Sequence, residues 1–107
     1  MKDPNTAVDF IIKNAGAFAE AKANRVYIEN YLRSKKALLM AQSGSGSIAG
    51  KEVDAYAHPE YLALLDGLKE AVKIEERLRW ELTAAQTRVD VWRTQESSNR
   101  AQDRAVR

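Results

Sequence analysis

The sequence predicts an all-α protein: a long antiparallel helical hairpin with coiled-coil character, built to form oligomers. Three observations carry this. The 107 residues include only two prolines and five glycines, so long helices can run uninterrupted. One run of small polar residues, Ser43-Gly44-Ser45-Gly46-Ser47, divides the chain in two. Beyond it, Tyr61, Leu64, Leu68, Ala71, Glu75, Leu78, Leu82, Ala85, Val89 and Trp92 follow three–four spacing, and nine of these ten positions are apolar or aromatic.

The elements follow in order. Asp3-Pro4 is a helix start, an acceptor side chain at the cap followed by proline in the first turn. A helix over about 4–42 carries two apolar stripes, Val8, Ile11, Ile12, Ala15 and Ala19, then Ile28, Tyr31, Leu32, Leu38 and Leu39. The alanine-rich stretch between them favours helix and leaves room for a second helix to approach. Residues 43–48 read as a flexible linker and about 49–57 as a short helix. His58-Pro59 marks a boundary, because proline pushes the preceding residue out of helical geometry. Pro59 then opens a helix to about residue 100, roughly 60 Å long at 1.5 Å per residue. A polar tail, 101–107, is expected to fray.

A lone pair of helices buries little core for its size. The seam is therefore expected to be an oligomer or partner interface, using Leu64, Leu68, Ala71, Glu75, Leu78, Leu82, Ala85, Val89 and Trp92. A charge at a seam position costs stability but sets register or partner choice. The plainer expectation for Glu75 is that it reaches solvent past a loose layer.

The composition excludes several classes. Hydrophobic residues make up 45% and charged residues 30%, too apolar for a disordered chain. No run approaches the roughly 20 apolar residues of a membrane span. Asp3 and Asp9 argue against a secretory signal. There is no cysteine, which removes disulfides and thiolate chemistry and fits a reducing cytoplasm. The single histidine, His58, is expected to be a cap and has no second imidazole or thiolate with which to build a metal site. The carboxylates lie at ion-pair spacing beside lysines and arginines. A non-enzymatic protein without metal or cofactor is expected.

The net charge of +2 is unevenly spread: residues 1–51 carry eight Lys/Arg against four Asp/Glu, 52–87 four against eight, and 88–107 five against three. Two basic patches hold aromatic residues: Lys22, Arg25, Tyr27, Tyr31, Arg33, Lys35 and Lys36 in the first helix, and Arg88, Trp92, Arg93, Arg100, Arg104 and Arg107 in the last. Cations attract phosphates and exposed rings stack on unpaired bases, so single-stranded DNA is the expected anionic partner. The alternative is a coiled-coil interaction module, or an inhibitor or adaptor, that makes no DNA contact.

The runs Arg25-Val26-Tyr27, Tyr31-Leu32-Arg33-Ser34-Lys35-Lys36-Ala37, Ala55-Tyr56-Ala57-His58-Pro59-Glu60-Tyr61, Arg79-Trp80 and Val91-Trp92-Arg93 resemble a family of small helical phage and prophage proteins encoded near recombination functions. The layout, with a basic first helix, a Gly/Ser break and an acidic-then-aromatic second half, is similar to phage recombination mediators of the UvsY type. This resemblance implies an oligomeric accessory protein of DNA recombination or replication that binds single-stranded DNA, a phage or host recombination protein, or both.

Overall fold

In the computed structural model, which describes residues 4–106, three helices follow one another: α1 (Pro4–Gln42), α2 (Ile48–Ala57) and α3 (Pro59–Val106). The all-α class is as expected, and no strand occurs among the described residues. No helix among them is long and apolar enough to cross a membrane. The expected cap at Asp3 and the terminal Arg107 lie outside the described residues.

The chain forms two contact units, and α1 and α3 contribute to both. One unit joins Met1–Ala19 with Glu76–Arg107; the other is Glu20–Glu75. Within Glu20–Glu75, Arg25 meets Glu75 and Lys35 meets Glu60, so the helices run antiparallel. In the other unit the Arg79 guanidinium lies 5.8 Å from the centre of the Phe18 ring, and Phe10 lines a cleft with Glu81, Ala84 and Arg88. The pairing there is antiparallel too.

The inward face of α3 is the seam read from the sequence. Tyr61, Leu64, Leu68 and Ala71 are half-buried and Glu75 is buried in one unit; Leu78, Leu82 and Val89 are half-buried and Ala85 is buried in the other. The face of α1 differs from expectation. Its inward positions are Ala7, Ile11, Asn14 and Phe18 in one unit and Ala21, Arg25, Ile28, Leu32, Lys35 and Leu39 in the other. These keep three–four spacing, but three are polar, which hides the pattern from an apolar count. Val8, Ile12, Ala15 and Ala19 are exposed, as are Tyr31 and Leu38. In the alanine-rich stretch Ala21 alone is buried; Ala15, Ala17, Ala19 and Ala23 act only through helix propensity. Asn14 is satisfied locally, its amide donating to the Phe10 carbonyl at 2.8 Å.

The Ser/Gly run is a hydrogen-bonded turn rather than a loose tether. The Ser43 N–H donates to the Met40 carbonyl at 3.2 Å. Its hydroxyl donates to Asp54 at 2.5 Å and accepts the Ser45 N–H at 3.1 Å. The Ser45 hydroxyl accepts the Ser47 N–H at 3.3 Å, and the Ser47 hydroxyl caps α2 by accepting the Gly50 N–H at 3.0 Å. Every glycine here keeps a negative φ. The glycine the turn requires is Gly50, where an added Cβ would fall 2.9 Å from the Ser45 Cβ and closer still to its hydroxyl.

His58 is extended (φ −68°, ψ 135°), as its place before proline demands. It closes α2 and opens α3 at once. Its N–H donates to the Ala55 carbonyl at 3.2 Å, its carbonyl accepts from Tyr61 and Leu62, and its Nδ1 accepts the Glu60 N–H at 3.1 Å. The expected cap is thus in place. The expected fraying of the tail is corrected: α3 continues through residues 101–106. No glycine or proline follows Gly67, Ala101, Gln102 and Ala105 are good helix formers, and Arg104 suits the negative helix end.

Gly44→Ala should raise stability by about 0.4–1 kcal/mol, since its surroundings are open and the substitution restricts the unfolded chain. Gly50→Ala should lower it despite better helix propensity, and adding Ser45→Gly should restore it. Urea unfolding followed by circular dichroism checks both.

Candidate partner-binding groove

Arg25 and Glu75 set the geometry of the unit Glu20–Glu75. Both occupy inward positions. Arg25 Nε donates to Glu75 Oε2 at 2.5 Å and Nη2 to Oε1 at 3.1 Å, a bidentate pair. Glu75 is 2% exposed, the largest fully buried side chain among the described residues. Its expected escape to solvent is therefore corrected: it is buried because Arg25 stands opposite. Arg25 also reaches back to Glu29 at 3.2 Å, one turn along α1. The guanidinium pKa is raised, first by the hydrogen bond to Glu75 and then by that to Glu29.

Two further cations of the first basic patch are engaged in the same way. Lys35 Nζ lies 2.8 Å from Glu60 Oε2. That bond raises the lysine pKa and holds the Glu60 carboxyl below its ordinary value. Lys36 sits 4.7 Å from the centre of the Tyr56 ring and 3.7 Å from Glu52, both on α2, and its pKa is raised chiefly by the hydrogen bond with Tyr56. Tyr56 meets Tyr61 edge-on at 5.3 Å.

Of the five basic residues read as a nucleic-acid patch on α1, Lys22 and Arg33 remain exposed and enter no ion pair among the described residues. They do not share a face with the tyrosines. At 100° per residue, Lys22 and Arg33 stand roughly 120–180° around the helix from Tyr27 and Tyr31. The expected cation-and-ring constellation is not assembled. On α3, Arg88, Arg93 and Arg100 are exposed and unpaired among the described residues, and Trp92 is partly exposed.

Tyr27 instead lines an open groove between α1 and α3, and Tyr31 lines the recess that follows it. Their rings stack, 6.1 Å apart and within 6° of parallel. The groove measures about 390 Å³ and is lined from α1 by Ala21, Asn24, Tyr27 and Ile28, and from α3 by Gly67, Glu70, Ala71 and Ile74. Tyr27 is 68% exposed and Ile74 53%. Glu70 is the one charged residue in the lining. A second recess of about 330 Å³ follows along the helices, lined by Tyr31, Lys35, Glu60, Ala63 and Leu64.

The seam expected to meet another chain, from Leu64 to Val89, instead faces α1 within each unit, and Trp92 is 37% exposed at its far end. Only Leu64 and Ala71 of that set also border the open grooves. Gly67 and Ile74 were not among the sequence candidates. The available signal was an isolated glycine inside a strongly helical segment, where it costs helix stability relative to alanine. Compared with family models, curated proteins and solved structures, the chain matches none.

Arg25→Leu should lower the Tm by roughly 10 °C or more, because it withdraws a guanidinium from a buried carboxylate. Glu75→Leu should cost far less, leaving Arg25 beside Glu29. Thermal melts that reverse this order would refute the clamp.

Glu60 has a depressed pKa, so its contribution is fully present above its ordinary value of 4.5 and is lost as pH falls from there through its lowered folded pKa. Lys35, with a raised pKa, contributes below its ordinary 10.5 and loses the contribution above its folded pKa. Between those limits Lys35→Met should melt lower than the parent by a degree or two at most, the carboxylate being half-exposed. The difference should vanish once pH has fallen through the lowered pKa of Glu60.

Proposed function

We propose that this chain works by association, as a non-enzymatic helical interaction module whose binding surface is the tyrosine-walled groove between α1 and α3. The observation that carries this reading is the fate of the first basic patch. Arg25, Lys35 and Lys36 are committed to carboxylates and a tyrosine of the same chain, while Tyr27 lines a mostly apolar groove and stacks on Tyr31 beside it. A phosphate chain needs cations that are free and lie on the face of the stacking rings. A helix needs an apolar trough with few charges, and the groove lining fits that need.

A second reading rests on α3 alone. Arg88 stands one turn before Trp92, and Arg88, Arg93 and Arg100 are unpaired among the described residues. That arrangement suits a strand-binding accessory of DNA recombination, the role implied by the resemblance to recombination mediators.

Fluorescence anisotropy of a labelled single-stranded oligonucleotide, titrated at about 50 and about 200 mM salt, separates the two. The groove reading expects no binding at micromolar protein even at the lower salt. Binding that weakens with salt and disappears in an Arg88→Ala, Arg93→Ala, Arg100→Ala triple variant would replace it with the second reading.

A further inference from the structure

We propose that the occupant of the groove is a second copy of this chain, so that the protein is a homodimer joined through the α1–α3 face bearing Tyr27 and Ile74. The inference rests on the interaction-module reading and names its partner.

The first argument is area. A folded chain of 12.0 kDa is expected to expose about 6,000 Å². This one exposes 7952 Å², an excess of about 2,000 Å². A standard interface takes about 800 Å² from each partner, well within that excess. The second argument is the core. Among the described residues six hydrophobic side chains are buried, and four of them are alanines: Ala7, Ala21, Ala55 and Ala85. A chain with so little of its own core needs a partner whenever it is folded, and the partner always at hand in equal amount is another copy of itself.

The third argument is the form of the groove. A two-fold contact must be self-complementary, each copy offering both a projection and a recess. Tyr27 and Ile74 are the projections, both more than half exposed. Ala21, Gly67 and Ala71 are the recess, and Gly67 has nothing within 4 Å of where a Cβ would stand. With α1 of one copy laid on α3 of the other, the Tyr27 ring seats over the Gly67 backbone, and the same contact is made twice. The phenol of Tyr27 and the amide of Asn24 are donors for the one charged group in the lining, Glu70. The opposite flank of α1 is less suited, since Lys36 there already holds α2 through Glu52 and Tyr56.

Sedimentation equilibrium of the full chain, from about 1 to about 100 µM, tests this, because the mass of a self-associating chain depends on concentration. The expected mass is about 24 kDa, twice the 12.0 kDa of one chain. Tyr27→Lys and Ile74→Lys should each weaken dimerisation at least tenfold. Trp80→Lys, at a position 66% exposed and outside the groove, should leave it unchanged. Circular dichroism confirms that each variant stays helical. Should a groove variant unfold, amide exchange of the parent at the two concentrations decides instead: protection should rise with concentration over 21–31 and 67–74 and not over 78–89.

A parent that is monomeric throughout overturns the second copy, and the oligonucleotide titration then judges the interaction-module reading by itself. A dimer indifferent to Tyr27 and Ile74 overturns the placement. Oligonucleotide binding by a groove-joined dimer would overturn the interaction-module reading while leaving the dimer intact.

Discussion

The pairing of α1 with α3 in the unit Glu20–Glu75 depends on two opposite charges placed inside an apolar seam. Burying a carboxylate is costly, and the cost is offset only where a cation meets it with good geometry. Arg25 does so with two hydrogen bonds. A slip of one helix along the other would move the guanidinium away and leave Glu75 among apolar neighbours. Leucine layers tolerate such slips far better than an ion pair does, so the pair acts as a register pin. It also explains how so thin a core specifies one alignment: where most inward residues are half-buried, packing discriminates weakly and electrostatics must do more.

The same economy of charge governs the end of that unit near the turn. Lys35 and Lys36 are adjacent in sequence, yet they are drawn to different elements, Lys35 to Glu60 at the start of α3 and Lys36 to Glu52 and Tyr56 on α2. The serine turn completes the arrangement through Ser43 and Asp54. Three cations that look like a binding patch in one dimension thus become struts in three. What remains open in the groove beside Tyr27 carries one charged residue, Glu70.

Much of the fold was legible in advance. The two helix-starting prolines, the Ser/Gly break and the His58-Pro59 boundary are local signals, and the structure places them within a residue or so of expectation. The α3 seam was legible because a single three–four period runs through it with one interruption. The α1 face was not, since Asn14, Arg25 and Lys35 occupy inward positions that an apolar count assigns to solvent. The groove was half legible. Its tyrosines drew notice as rings among cations, but its floor of Ala21, Gly67 and Ala71 has no chemistry to advertise.

The sequence by itself determined the helices, the breaks between them and which side of α3 turns inward, because those follow from propensity, capping and a period measured along one strand of chain. Tertiary structure decided which side of α1 meets it, which cations are consumed and which rings stay open. Arg25 turns inward only because Glu75 lies opposite, fifty residues away. No local pattern contains that fact: the energy that selects it arises only when the two helices are brought together.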